Sequence, residues 1–191
     1  MKCDLSVVVA RLVLFLRESY KEFLSSCGKD AQQLLDLMQD LLDLDFFSVV
    51  KPVLLKALSR LSRSSGLHPR CLALSGLQKV GQQVTGGGFG DIWKGLVRGQ
   101  GVCVKIMRVF EDSNVEAVLK EFAQEAVIWR QLCHPNVLPF FGIYYLDNRL
   151  CLVSPWMEYG NVLKFLAAKK PANPERLSLV SGYLLGSNIG G

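Results

Sequence analysis

Residues 84–95 read VTGGGFGDIWKG: three glycines in a row, a fourth after Phe89, and then Asp91, Ile92 and Trp93, which suit the start of a strand. Before them KVGQQV, residues 79–84, reads as a strand. After them DIWKGLV reads as a returning strand, RGQG as a second turn and VCVKIMRVF, residues 102–110, as a third strand. The glycines therefore sit in a hairpin. A dinucleotide fingerprint or a Walker loop needs a helix directly after the glycines, so that its N-terminus meets the phosphate, and a Walker loop also needs a lysine and a hydroxyl there. Neither follows Gly90. Two readings remain at this point: a plain hairpin turn, or a bare flap whose amides approach phosphates without a side chain in the way.

The next segments bear on that choice. Strand alternation in VCVKIM puts Val102, Val104 and Ile106 on one face and Cys103, Lys105 and Met107 on the other. A lysine midway along an apolar strand calls for an anion. Ser113 and Glu116 have the spacing of a capping box, and Val115, Leu119, Phe122, Trp129 and Leu132 mark the inward stripe of a helix reaching LCHPN, residues 132–136. Glu125 stands beside that stripe and is the evident counter-ion of Lys105. The competing reading of Glu125 is an exposed acid.

In order along the chain come the glycine loop, the VxVK strand, the EFxxE helix (121–125), HPNVLPFFG (134–142) and LVSPWMEYGNVLKFL (152–166). With these motifs the chain resembles, from Lys79 to about Ala168, the N-terminal lobe of protein kinases of the tyrosine-kinase-like group. The resemblance implies an α+β fold, a twisted antiparallel sheet plus an αC-type helix, here preceded by a helical segment. It implies ATP as ligand, bound by Val84, Thr85, Gly86, Gly87, Gly88, Phe89, Gly90, Ile92, Cys103, Lys105, Ser154, Trp156 and Met157. In that family pattern Lys105 meets the α- and β-phosphates, Glu125 orients Lys105, Ser154 is the gatekeeper, and Pro155 to Met157 form the hinge whose backbone meets adenine. The implied activity is phosphoryl transfer from ATP to serine, threonine or tyrosine of a protein.

Three departures qualify this expectation. Thr85 stands where the first loop glycine is usual, which leaves Gly87 and Gly90 as the second and third, and Cys103 replaces an alanine under adenine. The stretch PERLSLVSGYLLGSNIGG, residues 174–191, begins like the first helix of a C-terminal lobe and then meets Gly182 and Gly186. These 191 residues contain no HRD-type aspartate, no DFG-type metal ligand, no activation loop and no APE motif. The expectation is therefore a nucleotide-binding half without transfer activity of its own. Magnesium is implied by the family, but its ligands are absent, so no metal residue is assigned. The alternative is a non-catalytic module, pseudokinase-like or a helical adaptor, that binds a protein partner through the N-terminal helices or the exposed face of the lobe.

Residues 1–65 read as a helical segment. In AQQLLDLMQDLLDL, Ala31, Leu34, Leu35, Met38, Leu41 and Leu42 share a helix face, with Asp36, Gln39, Asp40 and Asp43 largely opposite. Pro52 can open a further helix, and SSGLHPR breaks it. The expected division is 1–65 helical, 66–78 linker, 79–170 kinase-like lobe and 171–191 the start of a C-terminal lobe. Half of the 191 residues are apolar, enough for a core. A net charge of +5 from 22 basic and 17 acidic residues is too mild and scattered for nucleic acid. The run Lys56, Arg60, Arg63, His68 and Arg70 reads as a solvated helix end. Six cysteines without a CxxC pair, and only His68 and His134, exclude a readable zinc site or disulfide framework and favour a reducing, cytoplasmic setting. The first 19 residues resemble a signal peptide in hydropathy, but Asp4 and Arg11 interrupt them, no small-residue cleavage site follows, and Leu5 to Leu16 is too short to span a bilayer. No membrane partner is expected. Phe140, Phe141, Trp156 and Phe165 are expected to leave a partly exposed apolar patch.

Overall fold

The computed structural model describes residues 4–44, 48–87, 90–107, 115–146 and 149–169. They fall into two compact units, Met1–Ala73 with Val109–Trp129, and Leu74–Arg108 with Arg130–Gly191.

The first unit is helical: α1 (Leu5–Glu18), α2 (Tyr20–Ser25), α3 (Gly28–Asp43), α4 (Lys51–Ser65) and most of α5 (Val115–Gln131). Asp4 caps α1 by accepting the Ser6 N–H at 3.0 Å. Pro52 lies in the first turn of α4, where its missing N–H costs nothing. On α3 the expected stripe is buried at Ala31, Leu35, Met38, Leu41 and Leu42. Gln39, placed on the polar face by the sequence pattern, is instead fully buried. Its amide donates to Asp43 Oδ1 at 2.9 Å, which offsets the loss of water. Phe23 of α2 and Leu54, Ala57, Leu58 and Leu61 of α4 complete this core.

Residues 67–73, within the stretch expected as a linker, contain a single 3-10 turn at Arg70–Leu72, and Leu72 is buried. On α5 the buried side chains are Phe122, Ala123, Ala126 and Val127. Leu119 and Trp129 are only half-buried. The inward face thus keeps Phe122 of the expected stripe but is completed by Ala123, Ala126 and Val127 rather than by Leu119 and Trp129. Ser113 and the side chain of Val115 lie outside the described residues.

The second unit is one antiparallel sheet and a helix: β1 (Leu77–Gly87), β2 (Gly90–Val97), β3 (Gln100–Ile106), β4 (Gly142–Leu146), β5 (Arg149–Pro155) and α6 (Val162–Lys169). The strand order is β1-β2-β3-β5-β4. The hairpin read from the glycines is present, and pairing continues through Gly86↔Asp91 to Gly87↔Gly90. Gly88 and Phe89 lie outside the described residues. Val102, Val104 and Ile106 of β3 pack with Cys151 and Val153 of β5 in a buried cluster, flanked by Leu77, Trp93 and Val97. This is the face that alternation assigned to the core. Leu150 to Ser154 are all buried, as the sheet interior requires for β5. The architecture is α+β. Among the described residues no helix is long and apolar enough to cross a membrane.

Candidate nucleotide site

Antiparallel pairing puts directly opposed residues on one face of a sheet. Lys105 therefore shares a face with its partners Ile92 of β2 and Leu152 of β5, and Cys103 with Lys94 and Ser154. This is the opposite face from the Val102–Val104–Ile106 cluster.

Toward the β5 end of that face lies a cavity of about 400 Å³. Val84, Ile92 and Cys103 line it from the sheet, Leu138 from the segment before β4, and Ser154 to Asn161 with Lys164 from the chain leaving β5. Of the residues expected to bind ATP, the structure gathers Val84, Ile92, Cys103, Ser154, Trp156 and Met157 at this one cavity. Lys105 does not line it, but stands on the same face, two residues along β3 from Cys103. Thr85, Gly86, Gly87 and Gly90 form the closed end of the β1–β2 hairpin through their backbone pairing. Glu125 lies in the helical unit and is exposed.

The wall formed by residues 154–161 is held at several points. The Trp156 N–H donates to the Gly101 carbonyl at 3.2 Å. A planar trans peptide directs its C=O opposite to its N–H, so the Pro155 carbonyl points away from β3. Lys94 Nζ sits 5.1 Å from the Trp156 ring and 4.0 Å from Glu158 Oε1, placing a cation over the indole face. The Gly160 N–H donates to the Met157 carbonyl at 2.9 Å and closes a turn. Asn161 then caps α6, its Oδ1 accepting the Lys164 N–H at 3.0 Å.

Cys103 is the titratable group of the cavity wall with a displaced pKa. Burial pushes its thiol above the ordinary value, while a hydrogen bond with Ser154 and the charge of Lys105 pull it back in part. The thiol is protonated at neutral pH and adds an apolar surface to the wall.

Sequence reasoning assigned no role to Leu138, Glu158, Tyr159, Gly160, Asn161 or Lys164. Leu138 sits in the quoted HPNVLPFFG run, and the rest follow the hinge. Their membership of the site depends on the chain reversing at Met157–Gly160, for which the glycine at 160 was the available signal. Among the described residues no group of three or more His, Cys, Asp or Glu side chains could hold a metal ion.

The family model for protein tyrosine and serine/threonine kinase matches residues 78–183, more than half of the chain. Mitogen-activated protein kinase kinase kinase 10 of Xenopus laevis is 38% identical over 84 residues, 44% of this chain and 8% of that protein. Serine/threonine-protein kinase STY46 of Arabidopsis thaliana is 37% identical over 93 residues, 48% of this chain and 16% of that protein. Interleukin-1 receptor-associated kinase-like 2 of Bos taurus is 32% identical over 106 residues, 53% of this chain and 17% of that protein. The chain spans less than a fifth of the length of each of these relatives.

Proposed function

Because the chain belongs to the protein tyrosine and serine/threonine kinase family, we propose that it binds ATP in the cavity bounded by Val84, Ile92, Cys103, Ser154 and Met157. The observation that carries this reading is that side chains from β1, β2, β3 and the segment after β5 converge on one cavity, on the same sheet face as Lys105. About 400 Å³ falls within the roughly 300–1,000 Å³ usual for small-molecule sites. Val84, Ile92 and Cys103 offer the apolar side of a slot for adenine. The outward carbonyl of Pro155 and the backbone of Met157 supply polar groups to its edge. Lys105 then meets the α- and β-phosphates beneath the glycine hairpin, and Glu125 is the counter-ion that keeps Lys105 extended toward them.

Phosphoryl transfer to a protein is the activity of the family. In-line transfer needs a base for the acceptor hydroxyl and carboxylate or amide ligands for magnesium. Among the described residues no magnesium ligand is assigned. The 191 residues by themselves are proposed to bind ATP without transferring its phosphate. A binding-module reading is favoured by one observation, the exposure of Leu5, Val7 and Leu14 on α1.

The test is a melting experiment with and without ATP. A ligand of the folded state raises the melting temperature by mass action, so the wild type is expected to shift upward. Lys105→Ala should remove most of the shift, Glu125→Gln should reduce it, and Glu121→Gln, an exposed neighbour on α5, should leave it intact. Residues in contact couple by roughly 0.5 to 3 kcal/mol, so the Lys105/Glu125 double variant should depart from additivity by that much. Strict additivity, or no ATP response in the wild type, would count against the nucleotide reading.

A further inference from the structure

Two walls of the cavity, β2 and the chain leaving β5, are not neighbours in the sheet, because β3 lies between them. One side chain spans that gap. On the cavity face Lys94 of β2, Cys103 of β3 and Ser154 of β5 form a row across three strands, since Lys94 pairs with Cys103 and Cys103 with Ser154. The stem of Lys94 therefore starts beside Cys103, and its ammonium ends 5.1 Å from the centre of the Trp156 ring and 4.0 Å from Glu158 Oε1. Trp156 and Glu158 both line the cavity. Lys94 thus arches from β2 over β3 to the far wall.

That wall has few other ties to the sheet on its inner side. The Trp156 N–H fixes its start on the Gly101 carbonyl at 3.2 Å, and the Gly160 N–H closes its end on Met157. Between these points the side chains of Met157, Glu158 and Tyr159 are exposed, so little packing holds them. The Tyr159 ring meets Phe165 of α6 at 5.5 Å, which draws the segment toward the helix. Lys94 pulls the other way. Its ion pair alone would be weak, because Glu158 stands in water. The indole face adds a second attraction for the same ammonium and shields it on one side.

We propose that Lys94 is a positioning residue, a brace across the cavity that holds the Trp156–Glu158 wall toward the sheet and slows the escape of the occupant. Its consequence for nucleotide rests on the reading of the cavity as an ATP site, whereas the brace itself does not.

The brace is tested first without nucleotide, by iodoacetamide labelling of Cys103 in the whole chain. Lys94→Ala should label roughly three- to fivefold faster, the size expected when one ammonium loses a ring and a carboxylate at a partly exposed site. Lys94→Arg, which keeps a cation over the indole, should label at the wild-type rate. The direction discriminates: removing a cation near a thiol raises the thiol pKa and by itself slows alkylation, so acceleration reports an opened wall. Exposed Cys133 and buried Cys151 are the internal references in the peptide map, and neither should change. Unchanged or slower labelling of Cys103 in Lys94→Ala, or equal acceleration at Cys151, would overturn the brace. Glu158→Gln should speed labelling in the wild type and add nothing in Lys94→Ala; additive effects would overturn it as well. In a second arm, excess ATP displaces a fluorescent ATP analogue in a stopped-flow instrument. Lys94→Ala should release the analogue roughly threefold faster, since loss of a contact falls mainly on the dissociation rate. An unchanged release rate would overturn the role in retention. No binding of the analogue to the wild type would instead sink the nucleotide reading, while the labelling result still judges the brace.

Discussion

At position 103 a thiol stands where it can report on the cavity chemically. Burial raises its pKa above the ordinary 9.0, with Ser154 and Lys105 opposing that rise. Because the folded thiol keeps its proton to higher pH than the unfolded one, the contribution of this group to stability is fully present below pH 9.0 and is lost as pH rises through the folded value. Since the thiolate is the nucleophile, iodoacetamide at pH 8 should alkylate Cys103 more slowly than exposed Cys27 and Cys133. ATP should slow it further, and peptide mapping reads both effects. A Cys103 as reactive as Cys27 would mean that the wall is wet. Strand alternation put Cys103 and Lys105 on one face of β3, whereas Ser154, in the continuously buried run of β5, was reached only through the family resemblance. Gln39 was not legible. An amide among leucines reads as polar surface until its partner Asp43, one turn away, is seen to satisfy it.

The elements themselves follow from short-range chemistry, and the β1–β2 hairpin shows how tightly. A Cβ on Gly95 would lie 3.0 Å from Val104 Cγ2, 3.1 Å from the Gln78 carbonyl oxygen and 3.1 Å from Leu77 Cδ1. Two of these neighbours are core-facing side chains and the third is backbone, so the sheet must move to admit a methyl. Gly95→Ala should therefore lower stability by roughly 1–3 kcal/mol, the cost of overpacking. Urea titration of the variant checks it, and an unchanged midpoint would show that β1 and β2 can separate there. The glycine turns and Pro52 placed the β1–β2 hairpin and the start of α4, but the third strand, expected over residues 102–110, is Gln100–Ile106, two residues earlier at its start and short of Met107. The inward face of α5 was not legible. Ala123 and Ala126 carry little hydropathic weight, so the larger Leu119 and Trp129 dominated the pattern although they end half-buried.

For the molecule as a whole, the apolar surface left in water is the feature with the widest reach. Phe140, Phe141, Trp156 and Phe165 are half-buried. The larger exposure falls on Met157 at 53%, Tyr159 at 41%, Val162 at 58% and Leu163 at 76%. These sit close together along the chain from the cavity wall into α6, so the chain should bind a hydrophobic dye, and Leu163→Glu should reduce that binding. Dye fluorescence no greater than that of a denatured control would argue that the patch is covered. The division between the units was only partly legible: SSGLHPR has the composition of a slack connector, yet Asp36 holds Arg70 from 34 residues away, and no local pattern announces a bond of that range. The strand order has a consequence in time. β1, β2 and β3 are neighbours both in the sheet and along the chain, so they can zip from their turns in sequence. β5 must find β3 with all of α5 and β4 intervening, a closure that loses far more chain entropy before any bond rewards it. Pulse-labelled refolding should thus protect the amides shared by β2 and β3 before those shared by β3 and β5. The cavity wall from Ser154 onward would then be the last part of the site to exist, and a chain still emerging during synthesis would carry the glycine hairpin well before it had anywhere to hold a base.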